Sequence, residues 1–126
     1  MQMMLLILIL ALLLRPDQAQ AQSSYYKGKV INVVVGTTAG SAYDVYARLI
    51  AQHIGKHIAG NPTLVVQNMP SGGSIVAANF VYGVAKPDGL TIASINPALY
   101  FNQLAGRKEV QFDWAKFSWL GSPDRS

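Results

Sequence analysis

Gly36-Thr37-Thr38-Ala39-Gly40-Ser41 is a run of small and hydroxylated residues with a glycine near each end. It follows Val30-Ile31-Asn32-Val33-Val34-Val35, a largely β-branched apolar run that suits a strand buried on both faces. It precedes Ala42-Tyr43-Asp44, which opens a stretch with apolar residues at helical spacing. A strand, a small-residue loop and a helix start make a place where backbone N–H groups can point at an anion. The first N–H groups of a helix have no intrahelical partner, and the helix dipole favours negative charge there. The anion this arrangement suits is a carboxylate, with a phosphate as the alternative. A tight strand-to-helix turn, needing glycine only for its backbone angles, accounts for the same residues; both readings stay open. The spacing fits neither Gly-x-Gly-x-x-Gly nor Gly-x-x-x-x-Gly-Lys-Ser/Thr, so dinucleotides and nucleoside triphosphates have little support.

Other residues with chemical potential are few. Asp44 lies three residues after Ser41 and completes a Ser-x-x-Asp capping box, although a carboxylate there can also accept a hydrogen bond from a ligand. His53 and His57 are four apart, a spacing that can hold zinc, but no His-Glu-x-x-His pattern and no cysteine accompanies them. They are expected half-buried against the sheet. No nucleophile–base arrangement is recognisable, and no catalytic residue, metal or cofactor is assigned. The absence of cysteine excludes disulfides, thiolate catalysis and cysteine-based metal sites. Phe112, Trp114, Phe117 and Trp119 are expected in the core rather than on a stacking platform.

The elements that carry these residues repeat a single theme. After the first strand and loop, a helix is expected from Ala42 to Ile58, with Ser41 as N-cap and Ala42, Val45, Leu49, Ile50, Ile54 and Ile58 as its apolar face. Gly60-Asn61-Pro62 stops it. A second strand at Thr63–Gln67 leads into the small-residue loop Asn68-Met69-Pro70-Ser71-Gly72-Gly73-Ser74. A second helix, Ile75 to Val84, turns Ala77, Ala78, Val81 and Val84 inward. Lys86-Pro87-Asp88-Gly89 is a turn by composition. A third strand, Leu90–Ser94, precedes Asn96-Pro97 and a short helix from Ala98 to Leu104. Three strand–loop–helix units imply an α/β fold: a parallel sheet with flanking helices and right-handed crossovers. Ligands of such sheets bind beyond the carboxyl ends of the strands, where Gly36–Ser41, Ser71–Ser74 and Asn96-Pro97 all fall.

The chain has 126 residues, 51% hydrophobic and 13% charged, so it is neither a disordered nor a solvating tail. Its net charge of +4 is scattered, with only Arg107-Lys108 adjacent, and no nucleic-acid footprint emerges. Met3 to Leu14 is an apolar run too short to span a bilayer, followed by Ala19-Gln20-Ala21. Residues 1–21 are therefore expected to be a secretory signal peptide cleaved after Ala21, and the protein periplasmic. The missing Lys or Arg before the run departs from the usual pattern and leaves an uncleaved anchor as the alternative. Without residues 1–21, nine positive and five negative residues remain, and the net charge stays +4.

Several of these motifs, taken in order, resemble the Bug family, the extracytoplasmic solute receptors of tripartite tricarboxylate transporters. They are Val33–Asp44, Ala47-Arg48-Leu49-Ile50-Ala51, Gly60-Asn61-Pro62, Gln67 to Ser74, and Lys86-Pro87-Asp88-Gly89-Leu90-Thr91. The resemblance covers nearly all of residues 28–122. It implies a two-lobed, type II periplasmic binding protein-like fold that closes over a small carboxylate and delivers it to membrane subunits. It also implies ligand-binding roles for Thr37, Thr38, Ala39, Gly40, Ser41 and Asp44, and for Ser71, Gly72, Gly73 and Ser74. Gly40-Ser41 stands where many members have Gly-Gly. Family members are much longer, so residues 22–126 are expected to be the N-terminal part of the first lobe, with the second lobe missing. Two other readings are an α/β enzyme using the Gly-rich loop for a phosphate group, and a non-functional fragment whose open sheet edge drives association.

Overall fold

The computed structural model describes residues 25–122; the expected signal peptide lies outside them. The elements are β1 (Val30–Val35), α1 (Ala42–Ile54), β2 (Thr63–Asn68), α2 (Ile75–Gly83), β3 (Thr91–Ser94) and α3 (Leu99–Leu104), with short 3₁₀ turns at Gly55–His57, Gly72–Ser74 and Trp114–Lys116. The three strands form one parallel sheet in the order β2-β1-β3. The expected α/β class with a parallel sheet is thus observed. Val35 is level with Asn68 on one side and with Ser94 on the other. The carboxyl ends of all three strands therefore stop at a common rim.

Burial follows this order. The first half of β1 alternates between exposed and buried, whereas Val33, Val34 and Val35 are all buried, as befits the central strand. Val33 and Val35 pack with Ala47 of α1, flanked by Tyr43, Ala51, Leu64 and Ile92. On the opposite side, Ile75 and Ala78 of α2 pack with Leu99 and Phe112, flanked by Ile95, Trp114 and Phe117. The aromatic tail thus enters the core through Phe112, while Trp119 lies against Trp114, its ring tilted by 42° at 4.4 Å between centroids, but stays half exposed.

The rotation of α1 differs from the expected one. Val45, Leu49, Ile50 and Ile54 face outward, and Tyr43, Ala47 and Ala51 face the sheet. Apolar residues occur nearly all round this helix, so hydrophobic periodicity does not fix its rotation. Two features do. Alanines at 47 and 51 allow close approach to the sheet, and Asp44 must reach donors on the loops at the rim. His53, about 200° around the helix from Ala51, is consequently exposed, as is His57, and neither lies half-buried against the sheet. Among the described residues no metal-sized group of His, Cys, Asp or Glu gathers.

The α-helix also ends at Ile54 instead of Ile58. A Cβ on Gly55 would lie 2.8 Å from the Pro62 carbonyl oxygen, so the chain passes closely over the start of the second strand there. The backbone tightens into a 3₁₀ turn, and Ile58 and then Asn61 donate back to Gly55 and Ile58. In α2, Ala77 and Ala78 are buried as expected, but Val84 follows the last helical residue and is 71% exposed.

Candidate functional site

The rim is built from two loops fastened to one strand end. In the first, Ser41 caps α1: its hydroxyl accepts from the Asp44 N–H at 3.4 Å and is hydrogen-bonded to the Thr37 hydroxyl at 2.6 Å. The return arm of the capping box is displaced by one residue. The Asp44 carboxylate accepts from the N–H of Gly40 at 2.8 Å, while Ser41 donates its N–H to the Thr38 carbonyl.

Asp44 is only 2% exposed and is surrounded by donors. One carboxylate oxygen accepts from Arg48 Nε at 2.9 Å as well as from Gly40; the other accepts from Asn68 Nδ2 at 2.8 Å. Arg48, Gly40 and Asn68, in decreasing order, hold the carboxyl well below the usual carboxylate range, against the opposing effect of burial. The same ion pair raises the Arg48 guanidinium above its ordinary value. The carboxylate is therefore used inside the protein, shaping the loop between Thr37 and Ser41.

Asn68 completes this network. Its amide nitrogen donates to both the Thr37 carbonyl and Asp44, and its amide oxygen accepts from Arg48 Nη2 at 3.0 Å. Asn68 ends β2 and opens the second loop, so one carboxamide ties that strand end to the first loop and to α1. The sequence gives half of this away, since Asp44 and Arg48 are four apart on a helix. The role of Asn68 depends on a partner 24 residues away, and no local pattern signals it.

The second loop is held differently. Gly72, Gly73 and Ser74 all adopt positive φ, at 61°, 60° and 79°. Two glycines make this left-handed turn inexpensive; the third residue is a serine, whose strain is offset by what its side chain does. Ser74 is fully buried and donates its hydroxyl to the Gly36 carbonyl at 2.8 Å. A Cβ on Gly36 would lie 2.5 Å from that of Ser74 and 3.0 Å from its Cα, so the loops meet only because residue 36 is glycine. The Gly36 N–H donates to Ser94 at the end of β3, which brings the third strand to the same point.

The ten residues expected to bind ligand thus divide into two groups. Thr38, Ala39 and Gly40 are exposed at the tip of the first loop, and Ser71, Gly72 and Gly73 at the surface of the second. The N–H groups of Thr38 and Ala39 have no partner among the described residues. Thr37, Ser41, Asp44 and Ser74 engage one another or the backbone. The third stretch, Asn96-Pro97, stabilises itself, with the Asn96 side chain accepting from the Ala98 N–H. The rim can present backbone N–H groups and a helix N-terminus to a small anion, in a frame whose own charges are already paired.

No family model matches the chain. Two curated proteins do. The UPF0065 protein in gbd 5'region of Cupriavidus necator is 36% identical over 82 residues, 65% of this chain and 24% of that protein. A UPF0065 protein of Bordetella bronchiseptica is 33% identical over 86 residues, 68% of this chain and 25% of that protein. The chain thus spans about a quarter of the length of the curated relatives it matches. By this similarity the chain belongs to the Bug family, that of the UPF0065 proteins.

Proposed function

We propose that this chain is part of an extracytoplasmic solute receptor that holds a carboxylate group of a small ligand at the sheet rim. In the complete receptor, a second lobe would close over the ligand, and membrane subunits of a tripartite tricarboxylate-type transporter would receive it. One observation carries the reading: the N–H groups of Thr38 and Ala39, without a partner among the described residues, stand just ahead of the N-terminus of α1, in a loop whose neighbouring carboxylate is already neutralised by Arg48. A ligand carboxylate arriving there meets donors and a positive helix end, with the charge of Asp44 compensated. The exposed Gly72 and Gly73 supply further backbone within the same frame. Family membership supports binding rather than catalysis, and the stretch up to Ala21 supports export to the periplasm.

The test is an amide-resolved titration of the chain with a monocarboxylate, a dicarboxylate and a tricarboxylate, with inorganic phosphate in parallel. The expected result is a shift of the Thr38 and Ala39 amides with carboxylates at concentrations where phosphate leaves them unmoved. Phosphate moving them more strongly would replace this reading with a phosphate site. No movement with any anion would remove the rim as a binding site in this chain.

A further inference from the structure

Positive charges that are scattered in the sequence are gathered by the fold. Three ion pairs form among the described residues: Arg48–Asp44, Arg107–Glu109 and Lys116–Asp113. Lys27, Lys29, Lys56 and Lys86 belong to none of them, and all four are exposed. They stand at the pole opposite the rim, where the strands begin. Lys27 and Lys29 lead into β1, and the Lys29 carbonyl accepts from the Thr63 N–H at the start of β2. Lys56 lies in the turn that ends α1, beside Gly55, which closely approaches Pro62 just ahead of β2. Lys86 opens the turn into β3. That turn is tied to the first described residue, because the Tyr25 hydroxyl donates to the Asp88 carbonyl. Asp88 is the single acidic residue of this pole among the described residues, and its carboxylate already accepts from the Leu90 N–H.

Lys56 and Lys86 follow the carboxyl ends of α1 and α2, where the helix dipole favours a cation. Lys27 and Lys29 have no such local reason; Lys29 lies 5.8 Å above the Tyr25 ring and Lys27 projects into solvent. Apolar groups sit among these cations: Val84, just past α2, is 71% exposed, and Tyr25 is 42% exposed. Lysines around an exposed valine and tyrosine match an anionic bilayer, whose phosphates take the cations and whose interfacial layer takes the apolar and aromatic groups. A nucleic acid would use the lysines and leave Val84 in water. The chain also leaves the fold from this pole. Only residues 15–24 separate Tyr25 from the apolar run that ends at Leu14, a reach of at most about 40 Å.

We propose that the pole carrying Lys27, Lys29, Lys56 and Lys86 rests on an anionic phospholipid surface, with the rim turned to the aqueous side where solute arrives. The direction of approach rests on the export reading of residues 1–21; nothing in it depends on what the rim binds. Exposed lysines are screened by salt and hold loosely. That suits a receptor that must turn over to hand its ligand to membrane subunits.

The test measures partitioning of the full chain onto vesicles of phosphatidylcholine alone, and onto vesicles with an equal part of phosphatidylglycerol. The apolar run contributes to both, so the ratio isolates the pole. At about 5-fold per lysine, the anionic vesicles are expected to bind roughly 100-fold more tightly at low salt, with the ratio falling toward one as salt is raised. Lys27→Glu with Lys29→Glu should bring the ratio below about 5-fold. Should that pair disturb the circular dichroism, Lys56→Glu with Lys86→Glu decides in the same way. Arg107→Glu with Lys108→Glu makes the same change of net charge elsewhere and should leave the ratio within about 2-fold. Equal partitioning of the unsubstituted chain onto both vesicles would overturn the proposal. So would equal losses from the two charge-matched pairs, or tighter binding to a DNA duplex than to the anionic vesicles. Export is read separately, from the mass of the chain recovered from the periplasm, and the vesicle ratio decides the proposal whichever way that falls.

Discussion

The two loops of the rim sit side by side yet are held by different physics. The Thr37–Ser41 loop takes its shape from side chains, with a buried carboxylate receiving donors from its own loop, from the next helical turn and from the end of β2. The Gly72–Ser74 turn takes its shape from backbone angles and from one hydroxyl bonded to Gly36. The first arrangement depends on charge state and on partners distant in sequence. The second depends on residue size and chirality. A rim built in both ways can be perturbed one loop at a time.

Acid should separate them most. The pKa of Asp44 in the fold is lowered from its ordinary value of 3.8, so its contribution to stability is fully present above that value and is lost as pH falls below it. Denaturation midpoints are expected to hold between pH 7 and pH 5 and to drop toward pH 3, with a smaller drop in Asp44→Asn. The Gly40 amide, bonded to the carboxylate, should shift before the Gly73 amide does.

Asn68→Asp comes next. It replaces two donors with none and sets a second carboxylate beside Asp44, so a loss of about 2–3 kcal/mol is expected at pH 7 by urea denaturation. Because the new carboxylate is disfavoured while charged, this penalty should shrink as pH falls toward the ordinary carboxylate range. A flat pH dependence would place the role of Asn68 in packing.

Gly36→Ala strikes the junction of the two loops, where the new methyl group meets the Ser74 side chain and its Cα. A loss of about 2 kcal/mol is expected, the same at pH 5 and pH 7. Ser74→Ala should cost less, about 1 kcal/mol. It leaves the Gly36 carbonyl without its hydroxyl partner but changes no charge. Neither substitution should alter the acid dependence.

These differences also explain how much could be read from the chain. The strands followed from β-branched runs, the Ser41 cap from local chemistry, and the common rim from alternation of strands and helices. The rotation of α1 was hidden because Val45, Leu49 and Ile50 look as apolar as the buried Ala47 and the half-buried Tyr43 and Ala51; the decisive residue was the polar Asp44. The early end of α1 followed from the close approach of Gly55 to Pro62, which only the folded chain reveals. At the candidate site, the Gly-rich loops were legible as backbone donors. That Asp44 and Ser74 are occupied inside the frame was not, because their partners Asn68 and Gly36 lie 24 and 38 residues away.

The contact between Gly36 and Ser74 also limits the paths by which such a sequence can drift. A side chain at position 36 has no room while 74 carries one; a glycine at 74 would remove the two closest contacts, leaving its Cα at 3.0 Å, and relax its left-handed backbone. The two positions therefore form an exchangeable pair. Gly36→Ala combined with Ser74→Gly should be tolerated better than Gly36→Ala alone, and lineages that reach the paired state would find the single reversion at 74 closed to them.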